Sequence, residues 1–394
     1  MMIAMRLRLI TSGQWIFDST EDKAVAAALL GALGAVQLVQ MPAVIYGGAL
    51  ADVIDRKKLM AMTQAASLIS LVVLGVLSAT GSLAVWHIFV VTAIVGIFNM
   101  LGNSARPAML PRVLPRRFLT NGVTIQTASF QIAGIGAPLA WGWLYNDHGA
   151  TTAFIVAAGI AGLSFICPLL IRASGQPDGG ARKVTLASLK EGFTFVRSHR
   201  ILPGLYLLDI GVTIVSFYRE LFPVFSDGLY GRGAEGTAAL NSANAAGGAA
   251  GSFVVFFTGR WKYKGRIVLV ATLAYAVLLL AFGLNPIFWV GLAIVAALGL
   301  VDSIGMTMRQ AVVQLTTPDN LLGRASSAHS FAAMGANNLG QIEVGLLAGL
   351  VGAGPTMIIG GAVSLVVVGL VWWLIPGVRN YRYEEEPEEA HSPP

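Results

Sequence analysis

Runs of about twenty apolar residues recur along the whole chain, and no other feature limits the fold so severely. A helix rising about 1.5 Å per residue needs roughly 20 mostly apolar residues to cross the hydrocarbon core of a bilayer. Such runs are Leu59–Ala79, Leu83–Met100, Thr151–Ile171, Ile267–Gly283, Ile287–Val301 and Met357–Ile375. Other runs are interrupted only by Gly, Asn, Gln or Pro, which spanning helices tolerate because neighbours re-satisfy the backbone. Charged residues make up 12% of the 394 residues, against about 25% in a soluble domain. The chain is solvated mainly by lipid.

This arrangement excludes several function classes. The net charge of +6 does not point to nucleic acid, because the basic residues sit in short loops between apolar runs. Cys167, the single cysteine, lies within a span and forms no intrachain disulfide. Met1–Trp15 carries Arg6 and Arg8 but no clean apolar core with a small-residue cleavage site, so it does not read as a signal peptide. The sequence offers no nucleophile–base pair, phosphate loop or metal-ligand spacing. An enzyme, a cofactor and a metal site are not expected.

The expected architecture is an all-α membrane protein of eleven or twelve spans. They read as Ile3–Ser19, Ala24–Ala51, Leu59–Ala79, Leu83–Asn103, Asn121–Tyr145 and Thr151–Ile171, then Ile201–Phe225, Gly236–Thr258, Ile267–Gly283, Ile287–Met308, Ala325–Val351 and Pro355–Ile375. The division is a first bundle (1–172), a cytoplasmic linker (173–200), a second bundle (201–376) and a disordered acidic tail (377–394). Within the linker, Leu186, Leu189, Phe193 and Val196 fall at helical spacing, the pattern of an amphipathic helix on the membrane face. Lys and Arg accumulate on the cytoplasmic side of membrane proteins. One set of loops holds 21 of the 26 basic residues, and the opposite loops hold only Lys23 and Arg232. That asymmetry places the linker and the C-terminus in the cytoplasm. The expected location is the inner membrane of a bacterial cell.

The halves repeat. Arg106-Pro-Ala-Met-Leu-Pro-Arg-Val-Leu-Pro115 follows span four, and Arg309-Gln-Ala-Val-Val-Gln-Leu-Thr-Thr-Pro318 follows span ten, each leading to a Leu. Duplicated halves around a midplane binding site are a transporter design.

Gly48-Ala-Leu-Ala-Asp52-Val-Ile-Asp-Arg56-Lys57-Lys58 resembles the signature loop of the major facilitator superfamily, between spans two and three. The resemblance implies two six-helix bundles and a cytoplasmic gate latched by Asp52 and Arg56. Gly48, Lys57 and Arg106 belong to the same gate motif. The sequence departs from the motif at Val53, usually basic, and at Asp55, usually Gly. Arg106-Pro-Ala-Met-Leu-Pro, Leu208-Asp209, Leu221-Phe-Pro-Val-Phe, Val301-Asp302, Gly323-Arg324 and Asn338-Leu-Gly-Gln-Ile-Glu343 are similar to the enterobactin-exporter-like branch, which includes macrolide efflux proteins. In that branch a complete first span precedes the segment matching Trp15-Ile-Phe-Asp18. Here about half of it is present, which implies a late start or a truncated gene.

Ionisable residues inside spans are functional candidates by default. Asp209, Arg219 and Glu220 fall in span seven, with Asp209 and Glu220 on one helical face and Arg219 able to neutralise a neighbouring carboxylate. Asp302 and Arg309 share a face of span ten. Glu343 is in mid-span eleven with no local cation. A lone carboxylate in apolar surroundings favours its neutral form, the property a proton-coupling site needs. The proton-coupling candidates are therefore Glu343, Asp302, Asp209 and Glu220, with Arg219 and Arg309 as charge partners. The alternative for each is an ion pair or hydrogen bond that fixes packing. Gln37, Gln40, Asn99, Asn103, Gln126, Asn241 and Asn244 are cavity candidates whose alternative is glue between helices. Trp86, Trp141, Trp143, Trp289, Trp372 and Trp373 read as interfacial anchors.

The leading reading is a proton-coupled exporter of a small amphipathic molecule, a siderophore or a drug, working as a monomer in lipid. An importer on the same fold and a non-transporting membrane protein are the alternatives.

Overall fold

The computed structural model describes residues 1–38, 40, 55–102, 109, 113, 119–171, 194–258, 262–317 and 319–382, with side chains at all of these except 101–102, 119–128, 130–131, 256–258, 314 and 319–330. Among the described residues the chain is helical throughout, and no strand occurs. The helices are α1 (Met2–Ser19), α2 (Lys23–Leu38), α3 (Arg56–Ala79) and α4 (Val85–Gly102). Leu119–Leu170 is helical except at Gly149, whose φ of 74° and ψ of −179° divide it into α5 (119–148) and α6 (150–170). A positive φ costs any residue with a Cβ, so glycine suits this turn. The second half holds α7 (Leu202–Val215), α8 (Gly233–Thr258), α9 (Lys264–Leu284), α10 (Phe288–Thr316), α11 (Asp319–Val351) and α12 (Ala353–Leu374), then the short α13 (Pro376–Arg379).

Helix ends follow local chemistry. Asp55, the residue that departs from the signature loop, is the N-cap of α3 and accepts from the backbone N–H groups of Lys57 at 2.8 Å and Lys58 at 3.4 Å. Arg56 and Lys57 thus form the first turn of α3. Gly48, Asp52 and Arg106, the rest of the expected gate, lie outside the described residues, as do Asn103 and most of the linker. Val196, from the expected amphipathic helix, is buried against the base of α7 and α9.

Three sequence readings need correction. The tenth span does not stop at Met308. α10 runs on to Thr316, because nothing breaks it before Pro318. Arg309 is therefore a buried helical residue and not part of a loop. The seventh span is not one helix to Phe225. α7 ends at Val215, where the Ser216 hydroxyl bonds back to the Val212 carbonyl at 2.6 Å, and a 3-10 turn (Tyr218–Leu221) and a π turn (Val224–Leu229) follow. Trp141 is not an interfacial anchor. It is fully buried, with its indole N–H donating to Thr11 at 2.9 Å. Trp86, Trp143, Trp289 and Trp373 are exposed near helix ends.

Large apolar side chains such as Ile132, Leu163, Leu350 and Leu374 are exposed on the outer surface, where lipid would cover them. Between helices, small residues permit close approach. Two seams join the first six helices to the last six. In the first, α2 crosses α11. A Cβ on Gly31 would fall 2.7 Å from Gly345 Cα, and one on Gly34 would fall 2.5 Å from the Asn338 carbonyl. In the second, α5 meets α8. A Cβ on Gly142 would fall 2.5 Å from the Ala238 methyl, and Ser242 donates to the Ile135 carbonyl at 3.1 Å. Within the second half, Gly247 and Gly251 of α8 lie against the backbone of α10, so the Ala245–Gly251 run serves close packing.

The seam predicts a graded effect. Gly345→Ala places a methyl against the Gly31 backbone and is expected to destabilise the protein by roughly 1–3 kcal/mol through overpacking. Gly159→Ala, where a Cβ meets open space, should leave thermal stability unchanged or raised. Thermal unfolding of both purified variants checks this; equal midpoints would refute the packing assignment.

Candidate functional site

The charged groups of the second half gather around α7 and α10. Arg309 Nη2 lies 2.5 Å from Asp209 Oδ1, with both side chains largely enclosed, 10% and 12% exposed. Arg219 Nη2 lies 3.9 Å from Asp302 Oδ2, with both about half exposed, 46% and 42%. The α7–α10 region therefore carries one tight, enclosed pair and one loose, open pair. These partners differ from the local pairing that the sequence suggests.

All four groups line a cavity of about 310 Å³, together with Thr213, Phe217, Tyr218, Tyr275, Gln310 and Asn337. Tyr218 is fully buried and accepts a hydrogen bond from Asn244 at 2.5 Å. Tyr275 donates to the Ser216 carbonyl at 3.1 Å. Phe282, Phe222 and Phe225 support Tyr218 from behind. The cavity is thus aromatic on one wall and ionic on another, a combination suited to amphipathic molecules.

Asp209 and Glu220 do not share a helical face. The break after Val215 turns Glu220 toward α11, where the Gln341 side-chain amide donates to it. Gln341 Oε1 in turn accepts from Gln37 of α2 at 3.0 Å. A polar chain Gln37–Gln341–Glu220 therefore crosses the first seam.

A second cavity of about 140 Å³ lies between the halves. Arg6, Leu9, Ile10 and Gly13 of α1 and Leu30 of α2 line one side. Phe217, Arg219, Glu220, Pro223, Thr237 and Asn241 line the other. Phe217 and Arg219 face both cavities. Arg8, two residues from Arg6, is buried and donates to Thr92 at 3.3 Å; among the described residues it has no carboxylate partner.

The remaining candidates fall elsewhere. Glu343 is half-buried and lines neither cavity, and its Oε2 is shielded without a hydrogen-bond partner among the described residues. Gln40 is buried and donates to the Thr92 carbonyl at 3.0 Å. Gln37, Gln40 and Asn244 thus tie helices together. Asn241 lines the smaller cavity and donates to the Thr237 carbonyl at 2.9 Å. Asn99, on α4, lines neither cavity. The side chain of Gln126 lies outside the described residues. The sequence reading passed over Tyr218, Tyr275 and Thr237, whose local context resembles ordinary span interior.

Residues 14–332 match the family model of the Major Facilitator Superfamily. The chain belongs to that superfamily. Among curated relatives, the "Enterobactin exporter EntS" of Citrobacter koseri is 26% identical over 342 residues, covering 86% of this chain and 81% of that one. The protein of the same name from Shigella boydii is 23% identical over 391 residues, covering 98% and 89%. Among solved structures, a D-xylose–proton symporter superposes with a TM-score of 0.69 at 14% identity, covering 96% of each chain. The nucleoside transporter NupG gives 0.64 at 13% identity, covering 94% of this chain and 98% of that one. The fold is that of major facilitator transporters, and the chain is a multi-pass membrane transporter, not an enzyme.

Breaking an enclosed ion pair leaves an uncompensated charge, while replacing both partners does not. Arg309→Gln is expected to cost about 3–5 kcal/mol, and the double variant Asp209→Asn/Arg309→Gln should recover most of that loss. Thermal unfolding of the single and double variants decides; additive losses would show that the two residues act separately.

Proposed function

We propose that this transporter is a proton-driven exporter of a small amphipathic molecule of the siderophore or drug type. Two six-helix halves, 1–172 and 201–376, rock about the central cavities as a monomer, with the linker 173–200 and the C-terminus in the cytoplasm. Positive-inside asymmetry supports that orientation. Export is supported by the curated relatives, which are enterobactin exporters.

The observation that carries the proton coupling is the contrast between the two ion pairs. Asp209–Arg309 is short and enclosed, so it clamps α7 to α10 in every state. Asp302–Arg219 is long and open to the larger cavity. The open pair is the more weakly held of the two, so Asp302 is the carboxylate whose protonation would release Arg219. Released, Arg219 and the 3-10 turn that carries it are free of α10. Glu220, on the same turn, is tied through Gln341 to α2. A change at Asp302 is thereby felt at the seam between the halves. Glu343 is the second candidate carrier, because its shielded oxygen lacks a partner among the described residues.

The test is accumulation of a fluorescent dye, a macrolide and a siderophore in pump-deficient cells, with and without a protonophore. The wild type should lower accumulation of at least one compound several-fold, and the protonophore should cancel that effect. Asp302→Asn, present in the membrane at equal level, should behave like protonophore-treated wild type. Loss in Glu343→Gln with Asp302→Asn intact would move the proton site to α11. Proton-independent uptake in the wild type would overturn export.

A further inference from the structure

We infer that the end of the second half where α9 begins and α12 finishes carries a site for one anionic phospholipid, its phosphate held by Arg266 and Arg382 and an acyl chain laid along α9. The inference rests on the membrane-spanning fold and needs neither proton coupling nor export.

Tyr263, just before α9, is exposed, and two guanidinium groups lie against its ring. The Arg266 guanidinium carbon is 4.8 Å from the ring centroid and that of Arg382 is 5.4 Å. Arg266 belongs to the first turn of α9, and Arg382 follows α13. The two segments are fixed side by side. Gly265 leaves no room for a Cβ against the Val378 carbonyl, and Arg266 Nε donates to the Arg379 carbonyl at 3.2 Å. Packing thus brings together two exposed cations that repel each other. Neither forms an ion pair among the described residues, and the same holds for Lys262 and Arg379 at this corner. Residues 262–285 and 353–382 contain no Asp or Glu. An anion between Arg266 and Arg382 converts their repulsion into charge-assisted contacts, and guanidinium forks match phosphate oxygens.

What adjoins the cations makes the occupant a lipid. Arg266, Val270, Leu273 and Val277 are all exposed and recur at i, i+4, i+7 and i+11, on one face of α9. From Arg266 to Val277 the helix rises about 16 Å, roughly half the hydrocarbon core of a bilayer. A headgroup at Arg266 therefore sets its acyl chain along a strip that reaches the midplane. α12 packs beside α9, where a Cβ on Gly361 would fall 2.7 Å from the Leu280 side chain. It presents an exposed strip of its own, Val366, Leu370 and Trp373, which ends just before α13. Basic pockets between spanning helices suit anionic headgroups on the cytoplasmic side, the side to which the positive-inside asymmetry assigns this end.

The test titrates the full-length protein in detergent with single lipids and reads bound copies by native mass spectrometry. The probes are dioleoyl phosphatidylglycerol and dioleoyl phosphatidylcholine, which share their chains, with inorganic phosphate as competitor. Thermal midpoints measured in phosphatidylcholine establish folding of each variant. The wild type should bind the glycerol lipid about tenfold or more tighter than the choline lipid, the scale of two basic residues at a membrane surface. Arg266→Gln/Arg382→Gln should bring the two lipids to parity, Arg266→Lys/Arg382→Lys should keep part of the preference, and Arg382→Gln alone should lower it several-fold. Arg232→Gln removes a charge before α8, far from this corner, and should leave the preference intact. Equal binding of the two lipids by the wild type, a preference that survives the double Gln replacement, an equal loss in Arg232→Gln, or displacement of the lipid by equimolar phosphate would each overturn the inference. Replacing Glu384, Glu385, Glu386, Glu388 and Glu389 by Gln tests the rival occupant. A preference seen only in that variant would give the site to the acidic tail and overturn the lipid assignment, whereas an unchanged or stronger preference supports it. Binding needs no transport, so its absence leaves the export reading untouched, and a protein that fails to export leaves this inference standing.

Discussion

Asp209 and Arg309 tie α7 to α10 because neither could remain charged there alone. Each sits within a helix that crosses the apolar layer, where an isolated charge costs several kcal/mol. Their contact at 2.5 Å turns two unfavourable burials into one tolerable pair. After Val215 the chain leaves the helix and places Tyr218, Arg219 and Glu220 on a separate turn. That turn faces both cavities. It meets Asp302 on one side, Gln341 on another and the α1 side of the smaller cavity on the third.

The seams between the halves have a different basis. There is little hydrophobic gain in joining helices within lipid, so close packing and hydrogen bonds must suffice. Gly31, Gly34, Gly345 and Gly349 let α2 and α11 approach backbone to backbone. An amide pair, Gln37 with Gln341, adds a directional bond. Such an interface holds two bodies together with few specific contacts.

Much of the fold could be read from hydropathy, because lipid imposes one rule on every span. The positions of most helices follow from it. The pairing of charges could not be read in this way. Arg219 stands next to Glu220 in sequence, yet its ion pair is with Asp302, 83 positions away, because only the packed bundle brings α10 to the turn after α7. The break at Val215 was also hidden, since Ser216 and Phe217 are compatible with continued helix and the hydroxyl back-bond appears only in three dimensions. Trp141 near the end of a span suggests the membrane interface by composition. Its partner Thr11, 130 positions away, decides otherwise. The amide residues carried no signal to separate those that join helices, such as Gln40, from Asn241, which lines a cavity.

The glycine contacts of α2 with α11 lie toward one end of α11, between Asn338 and Gly349, and that position has a mechanical meaning. In the proposed rocking of the halves such a contact would act as a fulcrum. Helices are stiff rods with a rise of about 1.5 Å per residue, so a point on α11 some 17 residues from the fulcrum is about 25 Å away. A tilt of about 10° at the fulcrum, requiring only a slight roll of one glycine face over another, carries that point by about 4 Å. A methyl-sized obstruction at Gly31 or Gly345 acts on the short arm of this lever, where the smallest displacement is magnified most.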